Sequence, residues 1–162
     1  MSTSSLYQEV ILDHNKKPRN WGQVADANRR ADGHNPLCGD RIQVTLRVAD
    51  DKIDAIAFEG ESCAICKASA SMMTAAVKGK AVADAEQLVN EFRDMATGKL
   101  DTAAPGHHLG RLTVFAGVRE LPTRVKCAVL PWHTLHAAVN QQGAATTEAD
   151  ADPAHAPMGS AS

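Results

Sequence analysis

The sequence predicts an α+β fold in which a small antiparallel sheet of about three strands carries helices packed on one face. Two patterns predict it. Residues 41–49 alternate apolar and polar side chains, and residues 52–59 resume the pattern after Asp50-Asp51, which is typical of an antiparallel hairpin. From residue 64 onward, Ala-rich and amphipathic stretches predict helices. The 162 residues suffice for one core and are too few for two full domains.

The first helices are predicted from their caps and breakers. Ser5 caps a helix that ends before Pro18, with one apolar stripe along it. Residues 64–78 contain Ala, Met, Ser and Lys without Pro or Gly, so we expect a helix that Gly79 ends. Asp84 is the expected cap of the next helix, whose apolar residues lie on one face.

The C-terminal part is predicted to contain two more helices and a tail. Residues 109–118 form a short helix, and the last helix begins near Cys127 with Pro131 in its first turn. The predicted domain is therefore residues 1–143. Residues 144–162 lack Leu, Ile, Val and aromatic side chains, so they are predicted to be a disordered tail.

Charge and hydropathy exclude two classes of partner. The chain has 17 Lys plus Arg against 19 Asp plus Glu, a formal charge of -2, and thus lacks the cationic surplus of nucleic-acid-binding proteins. No run approaches the roughly 20 apolar residues that cross a bilayer, and the start resembles no secretory signal. We therefore expect a cytoplasmic protein that binds neither nucleic acid nor membrane.

Cysteines in a reducing compartment indicate metal binding or catalysis, and this chain has 4. Cys38, Cys63 and Cys127 each lie at a predicted boundary between elements. A fold that brings these boundaries to one end would cluster their thiols, and a helix N-terminus would favour the thiolates of Cys63 and Cys127. Asp40 adds a carboxylate beside Cys38. Three thiolates and one carboxylate would complete a tetrahedral zinc site.

Cys66 admits other interpretations. With Cys63 it forms a C-x-x-C at a strand-to-helix boundary, which is also typical of a thioredoxin-like dithiol. That hypothesis leaves Cys38, Asp40 and Cys127 unexplained, and the preceding strands form a hairpin instead of a βαβ unit. Cys66 is a packed bystander, a spare thiol or an alternative fourth ligand, and the first is favoured because free cysteine is often buried.

A set of ordered motifs gives a more specific indication. The motifs are Leu6-Tyr7, Ile11-Leu12-Asp13-His14, Pro18-Arg19-Asn20, His34-Asn35-Pro36, Cys38-Gly39-Asp40, Gly60-Glu61-Ser62-Cys63, Ala68-Ser69-Ala70-Ser71-Met72-Met73, Arg124-Val125-Lys126-Cys127 and Trp132. They run from Leu6 to Gln142 and resemble the IscU/SufU (NifU N-terminal-like) family of iron–sulfur cluster assembly proteins. Lys126, where the scaffold branch typically has His, and the long interval before Cys127 are similar to the SufU branch.

The resemblance implies a SufE/IscU-like fold and a zinc-dependent sulfurtransferase. Such a protein accepts persulfide sulfur from a PLP-dependent, SufS-like cysteine desulfurase and serves downstream iron–sulfur assembly proteins. Carried over by motif, the zinc ligands are Cys38, Asp40, Cys63 and Cys127, with Cys38 as the sulfur acceptor. The resemblance also implies that Arg124 helps docking or orients Asp40.

Two alternatives remain open at this point. The same thiolates could bind iron, which would make the protein a scaffold for a transient iron–sulfur cluster. A non-catalytic binding module that zinc stabilises is an alternative of another class.

Overall fold

A computed structural model describes residues 3–141 and 144–146, with side chains over residues 7–141. The elements in chain order are α1 (Thr3–Lys16), β1 (Arg29–Asn35), β2 (Asp40–Ala49), β3 (Lys52–Glu61), α2 (Ala64–Val77), α3 (Val82–Ala96), a 3₁₀ helix (Gly110–Glu120), α4 (Pro122–Val139) and β4 (Ala144–Thr146). In the sheet order β3-β2-β1-β4, the first three strands pair antiparallel. The predicted α+β fold with a three-stranded antiparallel sheet is confirmed.

The predicted hairpin consists of β2 and β3. Val44 lies opposite Phe58 and is fully buried with it, as the alternating pattern requires. At the tip, Asp50 and Asp51 have φ of 52° and 60°. Positive φ at both central residues is typical of the type I′ turn, whose twist matches that of the flanking strands.

Strand β1 was not predicted because its residues are mostly polar. Its inward positions carry the short side chains of Ala31, Gly33 and Asn35, all buried. Helix α4 packs against this strand so closely that a Cβ at Gly33 would overlap the Thr134 hydroxyl. The strand therefore forms from backbone pairing and close helix approach, which an apolar alternation does not reveal.

The first residues after the predicted domain, 144–146, form the short strand β4. Residues 144–146 pair in parallel with Asp32–His34 at the outer edge of β1. An edge strand offers unpaired N–H and C=O groups, so backbone pairing there does not need large apolar side chains. The boundary at residue 143 is not described, and residues 147–162, for which disorder is predicted, also lie outside the described residues.

The helices form the predicted layer. Helix α4 packs on β1 and β2, while α2 contacts β3 and α4. The Trp132 ring of α4 stacks on Phe92 of α3 at 4.7 Å between centroids, and both rings are fully buried. None of the helices within the described residues has the length and apolar character needed to span a bilayer.

Three helix predictions need correction or detail. Helix α4 begins at Pro122 instead of Cys127, and Pro131 lies inside it, where it has no N–H to donate to the Cys127 carbonyl. Pro122 is the proline that takes the first-turn position. Ala81, not Asp84, precedes α3, and Asp84 lies in its first turn. The segment predicted over 109–118 is a helix of the 3₁₀ type.

A group of hydrogen bonds, called here the α1–α2 tie, joins the N-terminal region to the middle of α2. The Ser71 hydroxyl lies 2.6 Å from His14 Nδ1 and accepts the Arg19 N–H at 2.8 Å. Asn20 Nδ2 donates to Thr74 Oγ1 at 3.0 Å. These residues belong to motifs that the resemblance rests on, and their contacts are those of a structural joint.

Candidate metal centre

Four of the residues singled out by the sequence meet at one end of the sheet. Cys38 lies in the β1–β2 loop, Asp40 begins β2, Cys63 is the N-cap residue of α2, and Cys127 lies in α4. We call these four the thiol cluster. The boundary positions predicted for Cys38 and Cys63 are correct. Cys127 lies within α4, five residues after Pro122, so no helix N-terminus acts on it as predicted.

The β1–β2 loop presents Cys38 at the surface. The Cys38 N–H donates to the Asn35 carbonyl at 3.3 Å, closing a turn with Pro36 at its second position. Gly39 follows with φ of 72°, a left-handed conformation that glycine adopts without strain. The loop places the exposed Cys38 Sγ 3.6 Å from the Sγ of Cys127, which is fully buried.

Asp40 lies at the centre of the cluster, and only 1% of its surface is exposed. Its Oδ1 accepts the backbone N–H of Cys63 at 2.7 Å, which ties β2 to the start of α2. Its Oδ2 accepts the Asn35 side-chain amide at 3.3 Å and lies 3.8 Å from Cys63 Sγ. Burying a carboxylate is costly unless it is paired, and these two nitrogen donors are both neutral.

The ligand atoms of Cys38, Asp40 and Cys127 all lie within 4.8 Å of one another, a spacing at which they could hold a metal ion. Cys63 lies outside that group of three and contacts two of its members, Asp40 and Cys127. Sulfur donors with a carboxylate oxygen are ligands that zinc accepts in tetrahedral sites. The structure thus brings together all four predicted ligands, with Cys63 at the side of the cluster.

The pKa values of two thiols of the cluster shift in opposite directions. The Cys127 thiol donates to the Cys63 sulfur, and together with the Cys66 backbone N–H this lowers the pKa of Cys63 to about 6, against the effect of burial. The same hydrogen bond, with burial and the Cys63 charge, raises the pKa of Cys127. Of these two thiols, Cys63 is therefore the first to become a thiolate, and thiolate is the form that binds metal.

Cys66 lies one turn into α2 and is fully buried in the core. Burial, followed by the charges of Asp40 and Cys63, raises its pKa well above the usual range of a thiol. Its backbone N–H, and not its sulfur, serves the cluster by donating to Cys63 Sγ at 3.4 Å. A packed, protonated thiol fits the bystander interpretation, and neither redox nor ligand chemistry is indicated for it.

Arg124 is exposed in the first turn of α4. Among the described residues its guanidinium makes no hydrogen bond to Asp40, so its predicted role in docking or orientation remains a prediction. Burial raises the pKa of the Tyr7 hydroxyl, and the positive charge of Arg124 lowers it. That hydroxyl is buried and has no hydrogen-bond partner among the described residues. Negative charge on Cys63 or Cys127, when either is ionised, would raise the pKa of Tyr7 further.

Asn35 is the residue at this site to which the sequence analysis assigned no role. It is fully buried, and its side-chain nitrogen lies 3.3 Å from Asp40 Oδ2 and 3.6 Å from Cys127 Sγ. The signal that could have found it is its position opposite Asp40 across the β1–β2 loop. Residues directly opposite in an antiparallel pair lie on the same face of the sheet. Recognising this pairing requires strand β1, which the sequence does not predict.

Comparison with known proteins gives a consistent result. The family model of the NifU-like N terminal domain matches residues 6–128. The zinc-dependent sulfurtransferase SufU of Bacillus subtilis (strain 168) is 42% identical over 139 residues, which are 85% of this chain and 92% of that protein. The iron-sulfur cluster assembly scaffold protein IscU of Streptococcus pyogenes serotype M1 is 40% identical over 136 residues, 84% of each chain.

The fold is likewise similar to a solved structure. The crystal structure of FiSufU from the thermophile Fervidobacterium islandicum AW-1 superposes with a TM-score of 0.75 and 31% sequence identity. The match covers 85% of this chain and 99% of that chain. The likeness thus extends over most of this chain and nearly all of that one.

Proposed function

Because this chain belongs to the family of the NifU-like N terminal domain, we propose that it is a zinc-dependent sulfurtransferase of iron–sulfur cluster assembly. The proposed zinc ligands are Cys38, Asp40, Cys63 and Cys127. The observation that carries the proposal is the convergence of three sulfurs and one buried carboxylate, three of them with ligand atoms within 4.8 Å of one another. The 42% identity to a protein named a zinc-dependent sulfurtransferase supports it.

Burial supports Cys38 as the proposed sulfur acceptor. Cys127 and Cys66 are buried, Cys63 is partly buried, and Cys38 alone of the 4 cysteines is exposed. A sulfur that must meet another protein's persulfide needs such access. Cys38 also lies in a loop that a turn and a glycine shape, whereas Cys63 and Cys127 belong to helices that the core holds.

The proposed reaction is a thiol exchange. The Cys38 thiolate attacks the terminal sulfur of a persulfide on a PLP-dependent, SufS-like cysteine desulfurase. A new S–S bond forms on Cys38 while the partner's S–S bond breaks, and the partner's cysteine leaves as a thiolate, so no external oxidant or reductant is consumed. Zinc, when bound, keeps the cluster's thiols deprotonated at neutral pH and clamps the loop to the helices. We place this activity in the cytoplasm, where thiols stay reduced.

The test compares Cys38→Ala with Cys66→Ala in the full chain. Purified without chelator, each sample is assayed for zinc, of which the wild type should hold about one per chain. Cys38→Ala should abolish stimulation of a cognate cysteine desulfurase, and Cys66→Ala should retain most of it. Mass spectrometry should find the persulfide on Cys38. A folded wild type without zinc, or a Cys66→Ala variant that alone is inactive, would contradict the proposal.

A second candidate is a scaffold on which an iron–sulfur cluster forms and from which it is transferred. The 40% identity to a protein named an assembly scaffold favours it, as does the fact that three thiolates suit iron as well. Reconstitution with iron and sulfide, followed by visible absorption and transfer to an apo-protein, separates the two functions. If zinc were present but no persulfide and no cluster formed, a zinc-stabilised binding module would be the function.

A further inference from the structure

Asn35 is the only residue outside the thiol cluster, among the described side-chain contacts, whose side chain bridges two of the cluster's members. Its amide nitrogen lies 3.3 Å from Asp40 Oδ2 and 3.6 Å from Cys127 Sγ. Asn35 is the last residue of β1, Asp40 is the first of β2, and Cys127 belongs to α4. The amide thus joins the two strands that flank the Cys38 loop to the helix that packs over them.

The chemistry of this contact suits a metal site. An amide NH₂ has two N–H donors and a fixed planar shape, so it can satisfy two acceptors at once and hold their separation. Both of its acceptors become anions when metal binds, because Cys127 loses its proton and Asp40 is a carboxylate. A neutral donor stabilises both anions without adding a positive charge that would compete with the metal.

The contact is also uneven across the cluster. Asp40 and Cys127 receive the Asn35 amide, and Cys63 receives the backbone N–H of Cys66 at 3.4 Å. Within the described residues, the Cys38 sulfur is hydrogen-bonded to the Cys127 sulfur alone, at 3.6 Å. The exposed thiolate is therefore the ligand with the weakest support from the rest of the protein.

We propose that Asn35 is a positioning residue of the metal centre, whose amide holds Asp40 and Cys127 in place so that Cys38 is the ligand that is released. This inference rests on the proposed zinc site and adds to it a reason why one thiolate leaves and not another. Groups that orient metal ligands typically contribute roughly 10- to 100-fold to metal affinity.

The test uses Asn35→Leu, which keeps the branching at Cγ but has no donors and is larger, and Asn35→Ala as a second variant if the larger side chain disturbs folding. Thr134→Val is the matched control, because Thr134 is also buried but its hydroxyl donates within α4, to the Leu130 carbonyl at 2.8 Å. Zinc affinity is measured by competition with a chromophoric chelator, and circular dichroism of each metal-free variant checks the fold.

The Asn35 variants should bind zinc roughly 10- to 100-fold more weakly than the wild type, and Thr134→Val should bind it as the wild type does. After brief alkylation of the zinc-loaded protein, peptide mapping should find label on Cys38 in the wild type and on both Cys38 and Cys127 in the Asn35 variants. The inference is overturned by unchanged zinc affinity in a folded Asn35 variant, by an equal loss in Thr134→Val, or by labelling that stays confined to Cys38.

These readouts are independent of sulfur transfer. If the wild type binds zinc and Asn35 variants weaken it, yet Cys38 accepts no persulfide, the positioning role stands and the sulfurtransferase proposal fails. If persulfide forms on Cys38 equally well in all variants and zinc affinity does not change, the sulfurtransferase proposal stands and the positioning role of Asn35 fails.

Discussion

Two clusters of buried polar side chains, the α1–α2 tie and the thiol cluster, contact helix α2. They differ in whether their acidic groups and hydrogen-bond acceptors are matched by donors. In the α1–α2 tie, the Ser71 hydroxyl serves one ring nitrogen and one backbone N–H, both neutral, at 2.6 and 2.8 Å. In the thiol cluster, three thiols crowd around the Asp40 carboxylate, whose donors from Cys63 and Asn35 are neutral. The tie is complete as it stands, whereas the cluster has an excess of acids.

The difference indicates which buried polar residues belong to folding and which belong to function. Matched neutral donors and acceptors repay their desolvation and need no further partner. Adjacent acids in a buried site repel one another once ionised, so they gain most from a bound cation. By this criterion the middle of α2 contributes to folding and its N-terminal end contributes to function, although both lie within motifs of one family.

The largest effect is expected from removing the charge at the centre of the cluster. Asp40→Asn retains an oxygen for the Cys63 N–H but loses the negative charge that a cation needs. Zinc affinity should fall by more than the roughly 10- to 100-fold that loss of an outer contact typically causes. Chelator competition measures it, and the melting temperature of the metal-free variant should not fall, because acid crowding is relieved.

Asp32→Asn is the control for this experiment. Asp32 lies on β1, three residues before Asn35, but is exposed and accepts a hydrogen bond from Gln43 at 3.2 Å. Its zinc affinity should equal that of the wild type. If Asp40→Asn bound zinc as tightly as the wild type, Asp40 would not be a metal ligand. The contrast between the thiol cluster and the α1–α2 tie would then fail.

The sequence predicted the thiol cluster better than the tie or the strand beside it. Cysteines are rare enough that their predicted placement at element boundaries is informative, and the three cysteines do converge, two of them at boundaries and Cys127 within α4. The sequence predicts Cys127 at a helix start, with Pro131 in the first turn, but Pro122 is the proline that occupies that position. Local sequence preference does not show which of two prolines nine residues apart begins a helix, because the core tolerates the second one inside the helix.

What the sequence could not show depends on contacts between distant elements. Strand β1 has few apolar residues, and its pairing depends on β2 and on the approach of α4 at Gly33. Without β1, Asn35 has no defined position opposite Asp40. The tie is similarly invisible, because Ser71 lies in a helix pattern where serine usually counts as a neutral surface residue. Its partners come from α1 and the segment after it, 52 or more residues away.

A smaller effect, confined to stability, is expected in the tie. Ser71→Ala leaves the Arg19 N–H and the His14 ring without their shared partner, and an unsatisfied buried group costs about 1–3 kcal/mol. Urea unfolding of the metal-free protein should show this loss, while zinc affinity stays unchanged. Thr97→Ala, which removes an exposed hydroxyl at the end of α3, should lose much less. A change in zinc affinity on Ser71→Ala would show that the two groups are coupled through α2.

The smallest effect is a pH dependence that the tie adds to folding. Burial first, and then the positive charges of Arg19 and Arg111, lower the pKa of His14 below 6.5, while Asp13 opposes them. The unfolded chain therefore binds the proton more readily than the folded one, so the free energy of unfolding falls as pH drops below about 6.5 and is unaffected above it. For one group the slope cannot exceed about 1.4 kcal/mol per pH unit.

Subtracting His14→Gln from wild type at each pH between 5 and 8 isolates this contribution, because proton-linked changes at the thiol cluster are common to both proteins. The difference in unfolding free energy should be flat above pH 7 and should turn against the wild type toward pH 5. Zinc affinity should follow the same pH profile in both, since His14 contacts Ser71 and no member of the cluster. A difference that favours the wild type as pH falls would mean that the folded protein holds His14 protonated, and the tie would then be an ionic joint.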